Sequence, residues 1–164
     1  MNKIDVAHAD PEQPLRTELG ERPGYLIRRL HQIHVALFLE ECGADVTPVQ
    51  YGVMTVLFNQ PGMDQISLAA EVGIDRTNVA DVVRRLESRG LVSRGPHPED
   101  RRAKLVSLAV KGRQLTQRMF PAMQRAQDRL VEVLSETERA RFMATLERLI
   151  EANNAYGRAL LRMD

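Results

Sequence analysis

The chain has no tryptophan, one cysteine, and seven aromatics in all, three tyrosines and four phenylalanines. A single cysteine excludes an intrachain disulfide and fits a reducing cytoplasm. No apolar run reaches the length of a transmembrane helix. The opening stretch, MNKIDVAHADPEQPLRTELGERP, carries no apolar segment of the kind a secretory signal needs, so a cytoplasmic location is expected. No glycine-rich phosphate loop, HExxH helix, nucleophile–base pair or paired-carboxylate constellation is present. Neither an enzyme nor a cofactor is therefore expected. Internal repeats and low-complexity tracts are also missing.

What the chain does have is enough apolar residue, 43% of 164, for one core built from aliphatic side chains and methionine. Its net charge of +1 hides a polarised distribution. From Arg76 to Lys104 there are eight Lys/Arg against four Asp/Glu, a local +4, which leaves −3 elsewhere. A concentrated basic excess of this kind is the electrostatic footprint of a polyanion partner.

That basic stretch is also the most structured by pattern. Asp75 is a good N-cap. Val79, Val82, Val83 and Leu86 then fall at i, i+3, i+4 and i+7, an apolar helical stripe. Arg76, Thr77, Asn78, Asp81, Arg84 and Arg85 occupy the other face, and Gly90 closes the helix from the left-handed region. Leu91–Arg94 and Lys104–Leu108 read as two short strands. The prolines at 96 and 98 are expected to keep the segment between them out of the ladder.

Upstream, a helix from Gly24 to about Glu41 carries Leu26, Ile27, Leu30, Ile33, Leu37 and Phe38, a stripe broader than one buried face needs. Residues 1–22, interrupted by Pro11, Pro14 and Gly20, are expected to form a flexible arm. Thr47-Pro48-Val49-Gln50 is a capping box with proline at the first helical position. Asp64 caps a short helix with Ile66, Leu68, Ala69 and Val72 as its inner face, ended by Gly73. Short helix, glycine turn and second helix with a polar start is helix-turn-helix order. Such a second helix fits a major groove, where its first residues meet base edges.

Downstream, Val110 to Leu134 carries a stripe through Leu115, Met119, Met123, Ala126, Leu130, Val133 and Leu134, with Pro121 expected to kink it. Ser135–Glu138 is a second capping box. It opens a last helix with Phe142, Met143, Leu146, Leu149, Ile150 and, beyond, Tyr156, Leu160 and Leu161. Two helices of about 25 residues would span roughly 35–40 Å. A winged helix of about 65 residues cannot cover them, so a second subunit is expected to do so.

The expected architecture is mainly α with a small β-wing. It comprises an arm (1–22), a dimerisation helix (23–44), a winged helix-turn-helix (45–110) and C-terminal dimerisation helices (111–164). With these elements placed, the sequence resembles the MarR family of bacterial transcription regulators from about Gly24 onward. The resemblance rests on Leu68-Ala69, on Arg76-Thr77-Asn78-Val79, and on Leu86-Glu87-Ser88-Arg89-Gly90-Leu91-Val92-Ser93-Arg94. Pro98-Glu99-Asp100-Arg101-Arg102-Ala103-Lys104, then Leu108 and Gly112, complete it.

The resemblance implies a homodimeric repressor of a palindromic operator in double-stranded DNA. A small aromatic acid, benzoate- or nicotinate-like, would release it. In the family the equivalents of Asp100 and Arg102 pair at the wing tip, the acid holding an arginine that enters the minor groove. Two positions depart from the pattern. Ala109 stands where a capping threonine is usual, and Asp81 stands where the family often has a basic or hydroxyl residue.

The expected DNA contacts are Arg76, Thr77, Asn78, Arg84 and Arg85 on the helix, and Arg94, Asp100, Arg101, Arg102 and Lys104 on the wing. For the effector, Arg28, His31 and His34 lie three apart on the first long helix, and Tyr51 comes from the next. A cation, two imidazoles and a phenol at an apolar junction would suit an aromatic carboxylate. The same histidines also read as surface or interface residues. Metal sensing through His31, His34, Glu40, Glu41 and Cys42 lacks a zinc spacing. Redox sensing through Cys42 is opposed by two preceding glutamates at a helix C-terminus. A winged helix that binds a partner protein is the remaining alternative.

Overall fold

The computed structural model describes residues 18–97 and 104–157. The chain forms two compact units, one ending at Ile33 and the other beginning at His34. Helix α1 (Pro23–Cys42) runs through that boundary. In the first unit a short 3-10 turn, Leu19–Glu21, precedes the helix. Within it the Arg28 guanidinium stacks 5.3 Å from the centre of the Tyr25 ring, and Arg29 Nη1 donates to Gln32 Oε1 at 3.3 Å.

The second unit holds the remaining elements: α2 (Pro48–Asn59), β1 (Met63–Asp64), α3 (Gln65–Val72), α4 (Arg76–Ser88), β2 (Val92–Pro96), β3 (Lys104–Leu108), α5 (Val110–Val131) and α6 (Glu136–Asn153). The helix starts are those the caps dictate. Thr47 accepts from Gln50 N while Gln50 Oε1 accepts from Thr47 N, so two otherwise orphaned donors are satisfied. Asp64 Oδ1 accepts from Ile66 N and Ser67 N, and Asp75 Oδ1 accepts from Asn78 N. Ser135 and Glu138 form the second capping box.

The turn between α3 and α4 depends on Gly73 at φ 72°. A side chain there would be strained, because the left-handed region brings Cβ against the carbonyl. At the far end of α4, Leu91 N donates to Leu86 O and Gly90 N to Glu87 O, a Schellman closure. Leu86 and Leu91, which flank that closure, are both buried.

The core lies under the helix-turn-helix. Met54, Leu57, Leu68, Val79, Val83, Leu86 and Val106 are fully buried. Each large aliphatic side chain removed from water contributes about 1.5–3 kcal/mol. A three-stranded antiparallel sheet, ordered β1-β3-β2, closes one side. Its register pairs Val92 with Leu108, Arg94 with Val106 and Pro96 with Lys104.

Several expectations need correction. Pro96 is the last residue of β2 rather than outside the ladder. β2 is an edge strand paired only to β3, so a missing N–H at its end leaves nothing unsatisfied. Strand β1, two residues long, shows no period by which a sequence could reveal it. Ile66, assigned to the inner face of α3, is 58% exposed, because the first turn of that short helix precedes its contact with the core. Helix α5 ends at Val131, which leaves Val133 86% exposed in the turn. The two C-terminal helices have 22 and 18 residues rather than about 25 each. Tyr156 sits in a 3-10 turn beyond α6, and Leu160 and Leu161 lie outside the described residues.

Candidate nucleic-acid interface and effector pockets

Helix α4 buries Val79, Val83 and Leu86 and turns Arg76, Thr77, Asn78, Arg84 and Arg85 outward. That division follows from helical periodicity alone. The exposed set is not uniformly available. Asn78 Nδ2 donates to the carboxylate of its own cap, Asp75. Arg84 Nη2 lies 2.7 Å from Asp81 Oδ1. On the wing, Arg94 is only part-exposed, and its Nε sits 3.3 Å from Glu87 Oε2 without hydrogen-bond alignment. Lys104 opens β3 and is exposed. Asp100, Arg101 and Arg102 lie outside the described residues. Arg89, at the end of α4, donates to Asp45 O, and its own carbonyl accepts from Lys111 Nζ at 3.1 Å. It thus ties the loop after α1 and the start of α5 to the end of α4.

The expected effector residues fall in two places. Arg28 and His31 belong to the first unit. His34 and Tyr51 come together in the second, on the wall of a pocket of about 370 Å³. Phe38, Val56 and Met123 give it an apolar body, and Glu71 and Val72 of α3 form part of its wall. Tyr51 is 4% exposed, tilted against Phe38 with ring centres 6.1 Å apart. Its hydroxyl donates to Thr116 O at 3.5 Å. Burial pushes its phenol above the ordinary value, so it stays a neutral donor.

A second pocket of about 340 Å³ shares Tyr51 and Thr55 with the first and is completed by Phe58, Asn59, Thr116, Gln117 and Phe120. The Arg113 guanidinium stacks 4.7 Å from the centre of the Phe58 ring. Sequence reasoning missed this pocket. Its signal was Phe120, a large aromatic outside the apolar stripe of α5 and half exposed.

The ion pairs of this unit bind α1 to α5. Arg129 Nη1 reaches Glu41 at 2.8 Å and Glu40 at 3.0 Å, and Arg125 Nε reaches Glu41 at 2.8 Å. Hydrogen bonds from Arg125 and then Arg129 hold the Glu41 carboxyl below its ordinary value. Cys42, next in the chain, has its thiol pushed up by burial and then by the Glu41 charge. Among the described residues no group of three His, Cys, Asp or Glu could hold a metal ion, and no helix is long and apolar enough to cross a membrane.

Known proteins share this architecture. Residues 46–104 match the family model described as the MarR family. The chain is 26% identical over 158 residues to the HTH-type transcriptional repressor NicR of Pseudomonas putida, covering 96% of this chain and all of that protein. The solved structure of the transcriptional repressor CouR bound to a 23-mer DNA duplex superposes with a TM-score of 0.74 at 32% identity, covering 84% of this chain and 98% of that one. Bordetella bronchiseptica BpsR, solved to explain regulation of its DNA binding by 6-hydroxynicotinic acid, superposes at 0.78 with 29% identity, covering 81% and 96%. Helix-turn-helix, wing and these full-length likenesses agree, and the chain belongs to the MarR family of winged helix-turn-helix, DNA-binding transcription regulators.

Proposed function

We propose that this protein is a homodimeric repressor of a palindromic operator, released by a small aromatic carboxylate of the benzoate or nicotinate class, and that it is not an enzyme. Helix α4 enters the major groove with Arg76, Thr77 and Asn78 leading, while Arg84 and Arg85 lie about two turns further along. Arg94, Arg101 and Lys104 serve phosphates along the wing. The family pattern assigns Asp100 and Arg102, outside the described residues, to a pair in which the acid would hold the arginine for the minor groove.

The observation that carries the switch is the shared wall of the His34 pocket. Its lining reaches from α1, α2 and α5 to Glu71 and Val72 of α3. Helix α3 leads through the Gly73 turn directly into α4, so a ligand seated there presses on the element that positions the recognition helix. A volume of about 370 Å³ suits a single aromatic ring with its substituents. His34 gives the wall a polar imidazole and Tyr51 an aromatic face, its hydroxyl proton being committed to Thr116 O, and the Glu71 carboxylate repels the ligand's own, which turns the anionic end away from α3. Arg28 and His31 remain candidates by their spacing on α1. The regulation of BpsR by 6-hydroxynicotinic acid supports the ligand class, and the CouR–duplex complex supports the target.

Dimerisation is supported by apolar residues that the single chain leaves exposed: Leu39 on α1, and Met143, Leu149 and Ile150 on α6. The N- and C-terminal helices (23–44 and 111–164) would bury them against a second copy.

The test is to select duplexes from a random pool with the purified protein, then titrate benzoates, cinnamates and nicotinates into the complex. Release by one class, lost in His34→Ala, supports the reading. A monomer that binds no duplex at low salt overturns it.

A further inference from the structure

Thr77, Asn78 and Asp81 stand three and four residues apart, so they share one edge of α4. Asp81 is the one carboxylate between Arg76 and Arg85, a span otherwise neutral or cationic. Its side chain is 45% exposed. A bare carboxylate at that place would be repelled by the phosphates on either side of a groove. Asp81 is not bare. Arg84 holds its Oδ1 at 2.7 Å. Arg85 lines the same crevice of about 270 Å³ between α2 and α4, together with Val49, Asn78 and Asp81. The pair is neutral overall, yet the carboxylate keeps solvent-facing acceptor capacity.

An ionised carboxylate accepts and never donates. On the major-groove edges, only adenine and cytosine offer an amino donor. Adenine sets its N7 acceptor beside that amine, which repels a carboxylate, whereas the cytosine N4 amine has no such neighbour on its own base. We infer that Asp81 is a specificity-determining residue that accepts a hydrogen bond from the N4 amine of a cytosine in each operator half-site, with Arg84 as the residue that positions it. This rests on the DNA-binding reading above and adds a base preference to it. Arg84 accordingly serves the carboxylate rather than a phosphate.

The experiment is sequence selection from randomised duplexes with the full-length wild-type protein and its Asp81→Asn, Asp81→Ala, Arg84→Ala and Arg84→Lys variants. All four changes lie on exposed or half-exposed side chains of α4, and circular dichroism checks each fold. The wild type is expected to favour cytosine at one half-site position by about 5- to 30-fold, the lower part of the range for a good base contact. Asp81→Asn should move that single preference to adenine, whose N6 and N7 suit an amide. Asp81→Ala should flatten it. Arg84→Ala should weaken it, with recovery in Arg84→Lys, and every other position should stay as in the wild type. The inference is overturned if both Asp81 variants select the wild-type half-site while binding all duplexes more tightly and with a steeper salt dependence. In that case Asp81 only tempers charge. A wild type that enriches no sequence and shows no salt-sensitive duplex binding overturns the DNA-binding reading itself, a result distinct from the previous one.

Discussion

Arg129 of α5 places its guanidinium 2.8 Å from the carboxylate of Glu41 at the end of α1, and Arg125, one turn earlier, reaches the same carboxylate at the same distance. Glu41 is thereby held ionised below its ordinary value near 4.5. A carboxylate whose folded value is depressed contributes stability that is present above the ordinary value and lost as the pH falls through the folded one. Denaturant midpoints measured from neutrality down through the carboxylate range should fall for the wild type. In Glu41→Gln the midpoint at neutral pH should be lower and that acid limb shallower. Parallel acid limbs in the two proteins would refute the assignment. Because the pair is near the surface, high salt should shrink the difference.

Gly112 opens the first turn of α5 against the backbone of Leu91. A Cβ built there would stand 2.0 Å from Leu91 O and 3.1 Å from Leu108 Cδ2. Neither the carbonyl nor the strand behind it can step aside cheaply, since Leu91 O also accepts from Ala109 N at 3.0 Å. Gly112→Ala should therefore destabilise by about 1–3 kcal/mol or more, the cost of overpacking a filled site. Gly24→Ala, with nothing within 4 Å of the added carbon, should be neutral or slightly stabilising. Equal unfolding midpoints for the two variants would contradict this packing.

Ala109 is the N-cap of α5 and makes no side-chain cap hydrogen bond. Its backbone is already extended, at φ −70° and ψ 164°, the conformation a capping hydroxyl uses. Ala109→Thr should raise stability by about 0.5–1 kcal/mol through one satisfied N–H. Thr47→Ala, which removes a cap together with half of a capping box, should lower it by about 1 kcal/mol. Thermal melts of the two variants should move in opposite directions.

Cys42 is held as a thiol by burial and by its acidic neighbour. At neutral pH it should react with iodoacetamide more slowly than free cysteine, because the thiolate is the nucleophile. Mild peroxide should leave DNA affinity unchanged. Loss of binding on oxidation that is absent in Cys42→Ser would restore a redox role.

Phosphate contacts should be separable from base contacts by salt. For Arg85→Ala, the slope of log affinity against log salt should become shallower by about one contact's worth. Its selected sequence should be unchanged. Arg102→Ala should weaken operator binding through the wing. Full affinity in that variant by gel shift would exclude the tip from the interface.

Much of this was legible in the residues because it is local. Thr47, Asp64, Asp75 and Ser135 each announce a helix start through a side chain that reaches backbone donors two or three residues on. Gly73 and Gly90 mark the ends by a backbone region other residues avoid. The outward set on α4 follows from a 3.6-residue period. Such signals span one turn and need no knowledge of the rest of the chain.

Contacts across the fold were not legible in that way. Arg125 and Arg129 meet Glu40 and Glu41 from more than eighty residues away, and nothing in their own neighbourhood marks them as partners. Pro96 could join β2 only because packing made that strand an edge. His34 and Tyr51, seventeen positions apart, became one pocket wall only once α2, α3 and α5 had closed around them. The amino-acid order by itself fixed where helices begin, end and turn their apolar sides, since those are short-range hydrogen-bonding and periodicity effects. Which side chains meet across elements, and so which charges are neutralised and which space is left for a ligand, was decided by tertiary packing, because it depends on how buried faces fit together rather than on any one segment.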